Sequence, residues 1–322
     1  MSRKKVLVFK ALPVDQLARL QAVHDVVVAN PMIDSERAAF FSALPAAQGL
    51  IGASYPIDAD VLAQAPRLEV VSSISVGVDN YDLQALTQRG ILLTHTPGVL
   101  TETTADTVFA LVLACSRRVV ELANMVRSGD WTHNIDESLF GWDVHGKTMG
   151  ILGFGRIGQA VARRAALGFG MPVLYSGARA IDVPNLNGHV THVPLEAMLD
   201  QADILVVTVP LTDTTRGLMS AQRFAAMKPG AIFVNASRGG VVDEPALIEA
   251  LDNGHLRAAG LDVFAIEPLP PTSPLRIHPK VTALPHIGSA THETRYAMAQ
   301  LGTSNMLQAL AGERPACTVN MP

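Results

Sequence analysis

Cysteine is nearly absent from this 322-residue chain. The two present, Cys115 and Cys317, lie far apart, in no metal-ligand or redox spacing. One disulfide is arithmetically open, but two ordinary reduced thiols are the expected state. Charge is also scarce, at 17% of residues, against about 25% in an average protein. It is balanced as well: Lys+Arg 25 against Asp+Glu 29, a net −4. A phosphate-neutralising protein carries a basic surplus or a Lys/Arg stripe, so no nucleic-acid partner is expected. Beyond Arg3-Lys4-Lys5, the basic doublets are only Arg117-Arg118 and Arg163-Arg164. Long apolar runs are missing too. None approaches the ~20 residues of a membrane span. The run Val6-Leu7-Val8-Phe9 stops at Lys10, which fits a first buried strand rather than a signal peptide. A soluble, cytoplasmic protein with no membrane partner is expected.

Hydrophobic residues, at 48%, exclude a disordered chain. At roughly 150 residues per domain the length suggests two domains. Short apolar runs recur at Lys5–Phe9, Val26–Ala29, Gly49–Ile51, Val70–Ile74 and Ile91–Thr94. A second series follows at Thr148–Leu152, Val173–Tyr175, Ile204–Thr208, Ala231–Asn235, Ala259–Asp262 and Val281–Ala283. Such runs, alternating with helical segments, argue for parallel sheets covered on both faces. Between the two series, Ala105, Val108, Phe109 and Val112 keep helical spacing. They predict one long helix, Thr103 to Arg127, ended by Ser128-Gly129. A last helix is expected over Glu293 to Leu310.

The segment Gly150-Ile151-Leu152-Gly153-Phe154-Gly155-Arg156-Ile157-Gly158 reads as strand, G-x-G-x-x-G, then helix (Gln159–Ala166). Gly153 permits a tight turn, Gly155 lets backbone approach a pyrophosphate, and Gly158 allows close helix–strand packing. Phosphates would sit at the helix N-terminus, where free N–H groups and the dipole favour anions. A lone glycine motif is weak evidence, but the flanking strand and helix supply its context. The next strand should end near an acid that binds the adenosine ribose diol. It ends instead in Ser176-Gly177-Ala178-Arg179. An acid there would repel a 2′-phosphate, whereas a hydroxyl and a guanidinium can bind one. NADPH is therefore favoured, with NADH also usable; Arg179 as an ordinary solvated loop residue is the alternative.

Three late segments place polar residues after apolar strands: Asn235-Ala236-Ser237-Arg238-Gly239, Gly260–Pro268 with Asp262 and Glu267, and Pro285-His286-Ile287-Gly288-Ser289. Ligands of open α/β sheets bind beyond such strand ends. A guanidinium can hold a carboxylate, an imidazolium can protonate a carbonyl oxygen, and a carboxylate can orient the imidazole. Each residue alone has a bland alternative: a surface Arg, a capping Glu, one of ten histidines.

Together with Gly153–Gly158, these segments resemble the D-isomer-specific 2-hydroxyacid dehydrogenase family over nearly the whole chain. The resemblance implies two Rossmann/flavodoxin-like doubly wound parallel α/β domains with a cleft between them. Residues 1–100 and 289–322 would form a discontinuous substrate domain and 101–288 the dinucleotide domain. Arg238, Glu267 and His286 would be catalytic, with Val76, Gly77 and Arg238 binding substrate. Gly153, Gly155, Arg156, Ile157, Gly158, Ser176, Arg179, Pro210, Ala236, Asp262, His286 and Gly288 would line the cofactor. Thr94–Pro97, Leu100–Thr103, Gly168–Pro172 and His286–Tyr296 are similar to the branch that reduces glyoxylate, hydroxypyruvate or 2-ketogluconate to the D-2-hydroxy acid. In that branch Arg stands at the position of Ala178, so a moderated NADPH preference is implied. Trp131–Trp142 matches a segment of the family's dimer interface, which implies a homodimer. A phosphoglycerate-type dehydrogenase and a non-catalytic NAD(H)-sensing protein remain open. An α/β-hydrolase fares worse, for the chain has no G-x-S-x-G elbow.

Overall fold

The computed structural model describes residues 2–186 and 188–321. The chain divides into two compact units, 1–100 with 290–322 and 101–289. The first holds β1 (Lys5–Val8), β2 (Asp25–Val28), β3 (Gly49–Gly52), β4 (Val70–Ser73) and β5 (Leu92–Thr94). All five are parallel, in the order β2-β1-β3-β4-β5. The inner strands β3 and β4 are buried at every position, because helices cover both faces. One face packs Phe40, Leu44, Leu50 and Leu93. On the other, Met306 and Leu310 of the His292–Leu310 helix meet Val6, Val8 and Ile51. Fully burying each such side chain contributes about 1.5–3 kcal/mol. The chain end is tied down by Asn320, whose Oδ1 accepts from Leu93 N–H (2.7 Å) and whose Nδ2 donates to Ile91 O (2.8 Å).

The second unit holds β6 (Met149–Leu152), β7 (Val173–Ser176), β8 (Val190–His192), β9 (Ile204–Val207), β10 (Ala231–Asn235), β11 (Leu256–Leu261) and β12 (Val281–Ala283). They form one parallel sheet, β12-β11-β10-β9-β6-β7-β8. The order reverses between β6 and β9, a switch point of the kind at which α/β sheets bind ligands. Strand β8 has no counterpart in the apolar runs. It is three residues long, half-buried at Val190 and exposed at Thr191 and His192, so an edge position left it no hydrophobic signature. Strand β11 begins three residues before the expected run and ends at Leu261.

The single long helix is corrected to two, Thr101–Arg117 and Val119–Ser128. Arg118 lies between them with a left-handed φ of 54°. The break is held from outside the helices. Trp142 N–H donates to Ser116 O (2.8 Å), and Arg118 pairs with Glu121 (2.6 Å) while donating to Ser138 O (2.5 Å). A Cβ on Gly141 would stand 2.7 Å from Ser116 O, so only glycine admits this crossing. Leu111 and Cys115 of the first helix pack on Gly260 of β11. Both cysteines are free thiols; Cys115 is buried, which pushes its thiol up to about 11. Among the described residues no helix is long and apolar enough to cross a membrane, and no three His, Cys, Asp or Glu side chains cluster as metal ligands.

Candidate active site

The glycine turn follows β6 directly. Gly153 has φ +96°, a conformation costly for other residues, and its N–H donates to Ser176 O (2.8 Å). The following helix is Arg156–Arg163, three residues earlier than the sequence pattern placed its start, so its N-terminus opens at Gly155. A Cβ on Gly158 would lie 2.3 Å from Gly153 O, whereas one on Gly155 would meet nothing within 4 Å. The turn is thus tight behind and open in front, and a pyrophosphate fits it. Arg156 is exposed and Ile157 half-buried at the start of this helix. Thr208, just past β9, donates from Oγ1 to Gly153 O (2.7 Å) and braces the turn. Sequence reading missed it, since a threonine after an apolar run carries no motif. Pro210 follows, exposed.

Ser176 ends β7 in register with Leu152, half-buried, and Arg179 is exposed three residues on. Tyr175 stacks on Phe154 of the glycine turn, with ring centroids 3.7 Å apart, which holds this strand end against the turn.

The Arg238 segment follows β10. Buried Asn235 accepts from Ser237 N–H (3.0 Å) and Oγ (2.8 Å) and donates to Arg238 O (3.0 Å), closing the loop that carries Ala236 and Arg238. Asn235 is a second residue missed by the sequence reading; an Asn ending a strand just before a polar loop is the available signal. A Cβ on Gly239 would lie 1.8 Å from the backbone carbon of Phe264, so glycine alone lets this loop reach the segment that leads to Glu267.

Glu267 and His286 meet: Glu267 Oε2 lies 2.7 Å from His286 Nδ1. Glu267 Oε1 accepts from Phe264 N–H (2.9 Å), which fixes the carboxylate plane. Burial alone would raise the Glu267 carboxyl. The hydrogen bonds from His286 and Phe264, with the charges of His286 and Arg238, outweigh it and hold the group below its ordinary value. His286 itself has φ 55°, a left-handed conformation uncommon outside glycine. The next two residues explain its persistence. Ile287 N–H and Gly288 N–H donate to the two oxygens of Asp262, at 2.7 and 2.8 Å. Asp262 is buried just past β11, and burial pushes its carboxyl up despite those donors. Asp262 therefore grips the backbone behind His286.

Val76 and Gly77 belong to the first unit, in the half-buried loop after β4. There His95 Nδ1 lies 3.0 Å from Val76 O, and Asn305 donates to His95 O (3.1 Å).

Residues 109–288 match the family described as D-isomer specific 2-hydroxyacid dehydrogenase, NAD binding domain. Glyoxylate/hydroxypyruvate reductase B of Shigella boydii serotype 4 is 49% identical over 321 residues, 99% of this chain and 98% of that protein. A crystal structure of a protein from Thermus thermophilus has a TM-score of 0.90 at 45% identity, covering 98% of this chain and 100% of that one. That of an NADPH-dependent glyoxylate/hydroxypyruvate reductase from Sinorhizobium meliloti, in complex with NADP and malonate, has a TM-score of 0.88 at 32% identity, covering 99% and 97%. A glycine turn at the switch point, a paired histidine and glutamate, and this likeness along the whole length place the chain in the D-isomer-specific 2-hydroxyacid dehydrogenase family.

Proposed function

We propose that the protein is an NAD(P)H-dependent reductase of small 2-oxo acids, glyoxylate and hydroxypyruvate among them, yielding the D-2-hydroxy acid. The observation that carries this reading is the Glu267–His286 pair at 2.7 Å. An ionised carboxylate only accepts hydrogen bonds, so Nδ1 carries the donated proton and Nε2 faces outward. In the imidazolium form, Nε2–H is the acid that protonates the substrate's carbonyl oxygen as it gains electrons. Glu267 orients the ring through that hydrogen bond. Arg238 binds the substrate carboxylate by its planar fork, and in the first unit the Val76 and Gly77 N–H groups offer donors suited to a carboxylate. Gly153, Gly155, Arg156, Ile157 and Gly158 would hold the dinucleotide phosphates, with Pro210, Ala236, Asp262 and Gly288 along the rest of the cofactor. A bound reduced nicotinamide supplies the hydride.

Ser176 and Arg179 favour the 2′-phosphate of NADPH. A charge-assisted bond from Arg179 would contribute roughly ten- to a hundredfold in affinity. Ala178 offers no second cation, so NADH remains usable. Units 1–100 with 290–322 and 101–289 serve as substrate and dinucleotide domains. The chain works as a cytoplasmic homodimer through the segment holding Trp131, Ile135, Phe140 and Trp142, all large apolar side chains left exposed.

The test is consumption of NADPH and NADH by the purified protein with glyoxylate, hydroxypyruvate, phosphohydroxypyruvate, pyruvate, phenylpyruvate and 2-ketogluconate. Turnover with the first two, faster with NADPH, is expected. Preference for a phosphorylated 2-oxo acid would favour the phosphoglycerate-type reading. Binding of NAD(H) with no turnover of any 2-oxo acid would favour the sensor.

A further inference from the structure

The first unit carries, on the carboxyl edge of its own sheet, a group of cations and hydroxyls beside the Val76-Gly77 loop. Strand β1 leads to Lys10, β3 to Ser54 and β4 to Ser75-Val76-Gly77, and these three strands are neighbours in the sheet. Lys10 Nζ lies 3.4 Å from Ser54 Oγ. The lysine is half-buried, and among the described residues it meets no carboxylate. Arg295 is near enough for its charge to act on Lys10, and with burial, the larger effect, it pulls the ammonium below the ordinary lysine value. Ser54 holds a left-handed φ of 72°, one of three non-glycine residues in that region among the described residues, the others being Arg118 and His286. Strain of that kind persists only where the surroundings over-determine it, and it gathers at functional positions. Arg295 also lines a depression of about 910 Å3, together with Pro13, Thr291, Glu293 and Tyr296 among others.

We propose that Lys10, Ser54 and Arg295 form a subsite for the hydroxylated tail of a sugar-derived 2-oxo acid whose carboxylate is held at Val76-Gly77. This rests on the reductase reading above and adds what selects the longer substrate. The dimensions agree. Adjacent strands lie ~4.8 Å apart, so the Ser54 loop stands one strand spacing from the carboxylate loop. With bonds of ~1.5 Å, a chain of about five or six carbons spans that gap, and a two-carbon acid does not. The chemistry favours a polyol over a second carboxylate. Lys10 and Arg295 donate, Glu293 accepts, and Ser54 and Thr291 do both. Such a mixture matches hydroxyls, each both donor and acceptor. Glu293 would oppose an anionic tail.

The test compares glyoxylate with 2-ketogluconate in the parent, Lys10→Met, Lys10→Arg and Ser54→Ala, together with the rise in Tm that 2-ketogluconate gives each. In Lys10→Met, kcat/KM for 2-ketogluconate falls ten- to a hundredfold, as expected for one lost charge-assisted bond. Glyoxylate, which has no tail, changes less than threefold and so reports that the variant is folded. Lys10→Arg restores most of the loss, and Ser54→Ala gives a smaller one. Equal falls for both acids, or no fall for the sugar acid, overturn the subsite and leave the reductase standing. A parent that reduces neither acid, yet gains Tm from 2-ketogluconate only while Lys10 is present, overturns the reductase and keeps the subsite.

Discussion

If Arg238 holds the substrate carboxylate as proposed, replacing it by Lys keeps the charge and removes the planar fork, and with it one of two contact points. KM for the 2-oxo acid is expected to rise, with kcat also lower because the carbonyl is aimed less well. Steady-state kinetics of Arg238→Lys check this, and unchanged values in a folded variant would place Arg238 outside the site. His286→Ala removes the proposed acid and should lower kcat by about 10²–10⁴. Glu267 contributes in a second, pH-dependent way. Its folded carboxyl titrates below the ordinary value of 4.5. Its ionised form therefore stabilises the fold above the unfolded pKa, and that contribution disappears as pH falls through the folded one. Urea unfolding of Glu267→Gln should show a larger loss at pH 7 than in acid below the carboxyl's ordinary value of 4.5. A loss equal at both values would mean the pair with His286 does not carry it. At the cofactor end, Ser176→Asp should raise kcat/KM for NADH relative to NADPH, and Arg179→Ala should lower the NADPH value. A ratio untouched by both would remove this strand end from cofactor choice.

Elements decide which of these side chains meet. Strand β10 delivers Arg238 only because Gly239 passes against the Phe264 backbone, where a Cβ would sit 1.8 Å from a carbonyl carbon. Gly239→Ala must displace that backbone, and over-packing of this sort costs about 1–3 kcal/mol or more. Because the moved segment holds Glu267, activity is expected to fall further than stability. Thermal unfolding and kcat, measured on one preparation, separate the two. Asp262 acts similarly on His286. Asp262→Ala frees the Ile287 and Gly288 N–H groups, so the left-handed turn at His286 relaxes and kcat falls although His286 and Glu267 remain. The glycine turn after β6 was readable from spacing, since tight turns and close packing demand glycine by sterics. The grip of Asp262 was not, because its carboxylate lies 25 and 26 residues from the two donors.

At the scale of the whole molecule, each unit has its own sheet and core, and the chain leaves the first unit at Leu100 and returns to it at Ala290. Trp131, Ile135, Phe140 and Trp142 stay exposed, with Arg257 stacked 4.0 Å over the Trp142 ring. Placing charges at Trp131 and Phe140 should shift a dimer to monomer in light scattering, and a monomeric parent would end the dimer reading. What the sequence determined by itself is local and periodic. Apolar runs of four to six residues specify buried parallel strands, and Gly153, Gly155 and Gly158 specify a tight turn left open in front, since sterics and burial act residue by residue. Tertiary structure decided the rest. It split the long helix at Arg118, because Trp142 and Gly141 cross it from outside, and it made a strand of the largely exposed Val190–His192 by offering a free edge. It also set Glu267 against His286 and Lys10 against Ser54. Those pairs are 19 and 44 residues apart, and only strand order, which no local pattern encodes, brings their ends together.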